Sequence, residues 1–142
     1  MIKLHQSIAI DEYSYPGILA LARRMHIRLV PINMDDHGLC PKDLQHKYEK
    51  YRFSALFVMP NLQNPTSIEI PEWRRDIIAE FCKHQNIFII EDETQGILCE
   101  PCNRSFFSRL ADQTVLIASV SKFLSSGLRV GYLAVPPSKI EA

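Results

Sequence analysis

Ser119-Val120-Ser121-Lys122-Phe123-Leu124-Ser125-Ser126-Gly127-Leu128-Arg129-Val130-Gly131-Tyr132 follows directly on the apolar run Thr114-Val115-Leu116-Ile117-Ala118. A short apolar run bounded by polar residues reads as a buried strand. Lys122 then stands just past the strand end, with Ser119, Ser121, Gly127 and Arg129 at close range. A lysine there is either a surface residue before a loop or an amine with a task. Burial lowers a lysine pKa, and the neutral amine is a nucleophile that condenses with a carbonyl. Hydroxyls and a guanidinium fork complement the oxygens of a phosphate.

A carbonyl-trapping lysine beside a phosphate site points to pyridoxal 5'-phosphate (PLP). Two further segments bear on that reading. Met59-Pro60-Asn61-Leu62-Gln63-Asn64-Pro65-Thr66-Ser67 follows the apolar strand Ala55-Leu56-Phe57-Val58. Glu91-Asp92-Glu93-Thr94-Gln95-Gly96 follows the apolar run Ile87-Phe88-Ile89-Ile90. Each places polar groups at the end of an apolar strand, where open α/β sheets bind ligands. These three segments, in this order, resemble the fold-type I PLP-dependent aminotransferases. That family carries a P-x-x-Q-N-P-T-G turn, an E-D-D-x-Y strand end and an S-x-S-K-x-x-x-x-G-L-R-x-G-Y stretch. The resemblance runs from about Ser7 to Pro137. It is strongest to the branch that holds 2-aminoadipate-type aminotransferases and the aminotransferase-like domains of MocR-type (GntR superfamily) transcription regulators.

The resemblance assigns roles residue by residue. Lys122 matches the Schiff-base lysine. Asp92 matches the carboxylate that faces the pyridine nitrogen and keeps it protonated, which makes the ring an electron sink. Asn64 matches the amide that donates to the phenolic oxygen of the cofactor, and its Asn-Pro step is also a turn signal. Ser119, Ser121 and Arg129 match the phosphate ligands, with Ser121 read alternatively as a cap of the turn. Tyr15 matches an aromatic position that stacks on the cofactor ring, or is a core aromatic before a helix. Gln95 departs from the pattern, which has tyrosine there; an amide donates a hydrogen bond but does not titrate as a phenol does. Ser67 stands where the pattern has glycine, a substitution that costs something if the position needs positive φ.

The bulk composition fits one domain. The chain has 142 residues, 46% of them hydrophobic, and a formal net charge of zero. A neutral chain implies no general attraction to nucleic acid or anionic lipid. No apolar run approaches the ~18 residues of a membrane span. Met1-Ile2-Lys3-Leu4-His5-Gln6 lacks a signal-peptide pattern, so a cytoplasmic location is expected. Arg23-Arg24 and Arg74-Arg75 are expected on exposed helix faces. Cys99 and Cys102 form a single C-x-x-C, the other cysteines are Cys40 and Cys82, and the five histidines are scattered. A structural zinc site needs a second pair of ligands at matching spacing, so reduced thiols and no metal are expected.

Further strands are expected at Ser7–Ile10, Ile27–Ile32 and from Leu128 to Val135. Helices are expected after Pro16, with Ile18, Leu19, Ala22 and Met25 inward, and from Pro41 to about Lys50. A third should follow Pro71, with Trp73, Ile77, Ile78, Phe81 and Cys82 inward and Asn86 ending it. A helical turn is expected near Phe106–Leu110. Alternating helices and continuous apolar strands imply an α/β fold with a parallel sheet covered on both faces. The resemblance implies three α/β/α layers of a fold-type I large domain, with the strand after Lys122 antiparallel. It also implies that residues 1–142 are an incomplete large domain. The glycine-rich phosphate turn before Ser7 and the small domain after Ala142 would lie elsewhere.

Two functions stay open. One is transfer of an amino group between an amino acid and a 2-oxo acid, in a homodimer. The other is the PLP- and effector-sensing domain of a MocR-type regulator without efficient turnover, with DNA contacted only through a separate N-terminal domain. A third reading, a fragment that folds and binds nothing, also remains.

Overall fold

The computed structural model describes residues 7–98, 104–122 and 124–139. Its centre is a six-stranded sheet in the order β2-β1-β5-β6-β7-β8. The strands are β1 (Ser7–Asp11), β2 (Arg28–Ile32), β5 (Ala55–Val58), β6 (Phe88–Asp92), β7 (Thr114–Ser119) and β8 (Gly131–Ala134). All neighbours pair in parallel except β7 and β8, which are antiparallel. A small hairpin, β3 (Met34–Asp35) and β4 (Gly38–Leu39), sits apart from the sheet. Among the described residues four α-helices connect these elements: α1 (Pro16–Arg24), α2 (Pro41–Tyr51), α3 (Glu72–Gln85) and the single turn α4 (Phe106–Arg109).

Local chemistry fixes the boundaries. Proline opens α1 and α2 at the first turn, where its missing N–H leaves no bond unmade. Arg52 and Asn86 end α2 and α3 in the left-handed conformation. The Ser105 hydroxyl accepts the Ser108 N–H and caps α4. The expected elements are all present, and the antiparallel strand is the expected one. The last strand starts at Gly131 rather than Leu128, because a 3-10 turn at Ser126–Leu128 and a left-handed Arg129 come first.

Two apolar clusters lie on opposite faces of the sheet. Ala9, Leu56, Val58 and Ile89 pack with Leu44 of α2, Ile78 and Cys82 of α3 and Phe106 of α4. Ile8, Ile10, Ala55 and Phe57 pack with Ile18 and Leu19 of α1. The three-layer arrangement follows from alternate residues of β1 and β5 feeding each cluster. Each fully buried leucine contributes roughly 1.5–3 kcal/mol.

The buried stripe of α3 differs from the expected one. Ile78 and Cys82 are buried, whereas Trp73 is 50% and Ile77 44% exposed. Arg74 and Arg75, expected outside, are buried, Arg75 completely. The helix is rotated because both guanidiniums find oxygens on the sheet side. Arg74 donates to Asp35 at 2.5 Å and to the Gly38 carbonyl at 3.2 Å. Arg75 donates to the carbonyls of Ile70, Pro60 and Arg104. Arg23 and Arg24 are exposed as expected, but Met25, expected inward, is exposed too, because α1 ends at Arg24 and Met25 falls beyond its apolar stripe. The Cys99–Cys102 pair lies outside the described residues.

Candidate cofactor cleft

Strands β5, β6 and β7 are sheet neighbours, so their C-terminal ends share one rim. Asp92 is the last residue of β6 and Ser119 the last of β7. Asn64 lies in the segment after β5. A cleft of about 380 Å³ opens there. Tyr15, Asn64, Asp92, Gln95, Ser119, Ser121, Lys122 and Arg129 all line it, with Met59, Thr94, Val130 and Gly131. All eight residues singled out from the sequence thus stand around one space, of a size that takes a small molecule.

Alternation along β6 sends neighbouring acids to opposite sides. Phe88 and Ile90 lie on the α1 face, and Asp92 continues that row to the cleft. Asp92 Oδ1 accepts the Thr94 N–H at 2.9 Å, which fixes the turn and leaves the second carboxylate oxygen to the cleft. Glu91 points the other way and is fully buried. It accepts the N–H groups of Phe106 at 2.7 Å and Phe107 at 2.9 Å. Burial pushes its pKa up, against the lowering effect of those two N–H groups.

The lysine turn is closed by serine. Ser119 Oγ accepts the Ser121 N–H at 3.1 Å and lies 3.0 Å from both Ser121 Oγ and the Val130 carbonyl. The turn-capping role offered for Ser121 therefore falls to Ser119. Lys122 and Arg129 are exposed on the open rim. Tyr15 is folded back over the start of α1, and a Cβ on Gly17 would collide with its ring. Gly17 is therefore a requirement of that ring position. Ser67 has φ 61°, so the position does demand the left-handed conformation.

Three polar residues under the cleft were not singled out from the sequence. Gln63 is buried and accepts from the Thr66 N–H at 2.9 Å while its amide donates to the Tyr13 carbonyl at 2.5 Å. Glu93 is buried and accepts from Asn61 Nδ2 at 2.7 Å. Arg75 completes the set, with its guanidinium 2.6 Å from Asn61 Oδ1. Charge within an otherwise apolar helix stripe and a third acid after a strand were the only signals available.

The donor set suits PLP. A cation with two hydroxyls fits its phosphate, a carboxylate fits a protonated ring nitrogen, an amide fits the phenolic oxygen and an amine fits the aldehyde. The profile of the family described as "Aminotransferase class I and II" matches residues 2–142.

The chain belongs to the class I and II aminotransferase family.

That family is PLP-dependent, uses amino acids and oxo acids and typically forms dimers. This aminotransferase domain is 31% identical over 129 residues to the HTH-type transcriptional regulator YdeF of Bacillus subtilis, covering 91% of this chain and 28% of the regulator. It is 27% identical over 155 residues to the mitochondrial kynurenine/alpha-aminoadipate aminotransferase of Mus musculus, covering 99% of this chain and 36% of that enzyme. In fold it is similar to LysN, the alpha-aminoadipate aminotransferase of Thermus thermophilus, solved with N-(5'-phosphopyridoxyl)-L-leucine. That match has a TM-score of 0.88 at 22% identity, over 96% of this chain and 36% of LysN. The chain spans about a third of the length of these relatives. Among the described residues, no helix is long and apolar enough to cross a membrane.

Proposed function

We propose that residues 1–142 are the part of an aminotransferase large domain that holds PLP, with Lys122 as its covalent anchor. One observation carries this reading: three adjacent strand ends bring Lys122, Asp92, Asn64, Ser119, Ser121 and Arg129 into a single cleft. When bound, PLP supplies an aldehyde and a ring that accepts the electron pair left by the substrate α-proton.

The protein residues do the rest. Lys122 would be the amine that holds the cofactor aldehyde and the group that would take up and return the substrate α-proton. Asp92 holds the proton of the ring nitrogen. Asn64 donates to the phenolic oxygen, and Gln95 adds a second amide where a titrating phenol would serve. Arg129, Ser119 and Ser121 grip the phosphate, and Tyr15 covers a ring face. The substrates are an amino acid and a 2-oxo acid. The working unit is a cytoplasmic homodimer, whose partner and further segments enclose the exposed rim.

Gln95 favours a second reading, that of a MocR-type regulator domain which senses PLP and an amine with little turnover. The likeness to a helix-turn-helix regulator supports it, and DNA would then be contacted outside this chain. Borohydride reduction of the PLP-treated protein followed by peptide mapping tests the shared core of both readings. A pyridoxyl group on Lys122 is expected; one on any other lysine overturns the assignment. Turnover of amino acids then separates enzyme from sensor.

A further inference from the structure

Glu93 stands between Asp92 and Gln95 in sequence, yet it does not line the cleft. Its side chain turns to the opposite side of the strand end, where it is buried. A carboxyl group there is costly unless it is partnered. Its Oε1 accepts from Asn61 Nδ2 at 2.7 Å, and Asn61 Oδ1 accepts from Arg75 at 2.6 Å. Arg75 also holds the carbonyls of Pro60 at 3.0 Å and Ile70 at 2.7 Å. Those two carbonyls mark the ends of the segment that carries Asn64, and the Ile70 N–H closes its base on the Pro60 carbonyl at 2.8 Å. The Glu93 N–H is in turn bonded to the Ile117 carbonyl of β7 at 2.8 Å.

The 92–96 turn is shaped around this carboxyl group. A Cβ on Gly96 would overlap Glu93 Oε2, so no other residue fits position 96 while Glu93 stays in place.

We propose that Glu93 is a positioning residue of the cofactor cleft, fixing through Asn61 the segment that carries Asn64 to the segment that carries Asp92 and Gln95. The inference rests on reading the cleft as the PLP site. The link acts at the ring end of the site, since neither Ser119 nor Arg129 touches it. On the other flank Gln63 Nε2 donates to the Tyr13 carbonyl at 2.5 Å and lies 3.5 Å from Asp11 Oδ2, which ties the same segment to the chain after β1. Burial raises its pKa to about 7, opposed by the Asn61 hydrogen bond and Arg75 and assisted by Glu91 and Asp92.

Glu93→Ala, Glu93→Gln and Asn61→Ala in the full protein test the link by two readouts. Hydrogen exchange of peptides from 60–70 in the cofactor-free protein reports the turn itself. Glu93→Ala and Asn61→Ala should each raise exchange there about tenfold, and Glu93→Gln, whose Oε1 still accepts from Asn61, should stay near wild type. The pH midpoint of the bound-PLP absorbance reports Asn64 and Asp92. It should move by about half a unit or more in the two alanine variants and return in Glu93→Gln. Wild-type exchange in both alanine variants overturns the link, and so does an unmoved midpoint with the turn loosened. If wild-type protein takes up no PLP at Lys122, the cofactor reading falls, and the exchange data alone decide whether Glu93 braces the turn.

Discussion

The two faces of the sheet are finished to different degrees. The face under α2, α3 and α4 is sealed, and its charged groups have named partners: Arg75 with three carbonyls and Asn61, Glu91 with two N–H groups, Glu93 with Asn61. Among the described residues the opposite face carries α1 alone, packed over β1 and β5, and Phe88 and Ile90 remain half-buried. At the far edge Tyr132 and Leu133 are 59% and 65% exposed. Asp92 belongs to the less covered face, and Lys122 and Arg129 stand on its open rim. The sealed face holds the strand ends still; the open face offers groups that still have bonds to make. A ligand site needs both, a placed set of contacts and a second layer that keeps them placed.

Arg75→Met breaks the sealed side most directly. Methionine fills similar length but removes one donor from each of the carbonyls of Pro60, Ile70 and Arg104 and from the Asn61 amide oxygen. Removing one member of a buried charged network typically costs about 3–5 kcal/mol. Denaturant unfolding should show a loss of that size. A loss near zero would mean that water or a neighbour replaces the guanidinium, and that the two faces differ less than their hydrogen bonds indicate.

Acidity gives the next largest effect. Burial raises the pKa of Asp11 from 3.8 to about 7 and that of Glu93 from 4.5 to about 7. In each case the folded protein holds a proton that the unfolded chain releases earlier. Stability therefore falls as pH rises from about 4 to about 7 and is level above that. Asp35 and Glu72, whose pKa values are lowered by Arg74 and by the Arg104 N–H respectively, act in the opposite sense below that window and lie at the surface. Denaturation midpoints across this range should show the decline, and the pair Asp11→Asn and Glu93→Gln should flatten it.

The sequence made one face far more legible than the other. Strands were readable as apolar runs cut by turn residues, and the cleft residues sat in three contiguous segments. Burial of Arg74 and Arg75 was not readable, because their hydrogen-bond acceptors, apart from the Ile70 carbonyl, lie 14 to 39 positions away, which no periodicity encodes. Trp73 and Ile77 were placed inward for the same reason: the arginines, and not the largest apolar side chains, decide which way α3 faces. Glu93 was overlooked because a strand-end acid next to Asp92 reads as solvated until its alternation and Asn61 are seen. The late start of β8 depends on a left-handed Arg129, a conformation that arginine does not advertise.

The exposed edge offers a smaller test. Tyr132→Thr with Leu133→Thr removes two large apolar side chains that the chain leaves in solvent. Such surface changes move stability by only about 0.5 kcal/mol. Self-association of the 142-residue chain, followed by sedimentation, should fall, because the exposed apolar area shrinks. A large loss of stability would show that this edge is packed, and the contrast between the faces would narrow.

Ser67→Gly should give the smallest change and the most exact one. Ser67 sits at φ 61° at the end of the Asn64 turn, with its N–H on the Gln63 carbonyl at 2.7 Å. A non-glycine residue in the left-handed region costs about 1–2 kcal/mol, and glycine removes that cost. Glycine also has more freedom to lose on folding, which takes back about 0.5–1 kcal/mol. The net expectation is a gain of roughly 0.5 kcal/mol, seen as a small upward shift in the denaturation midpoint with an unchanged slope. The Ser67 side chain makes no hydrogen bond among the described residues, so nothing offsets the gain. If the variant is instead less stable, the left-handed turn is not held by the Gln63, Asn61 and Arg75 bonds in the way the sealed face implies, and serine is favoured by the freedom it lacks in the unfolded chain.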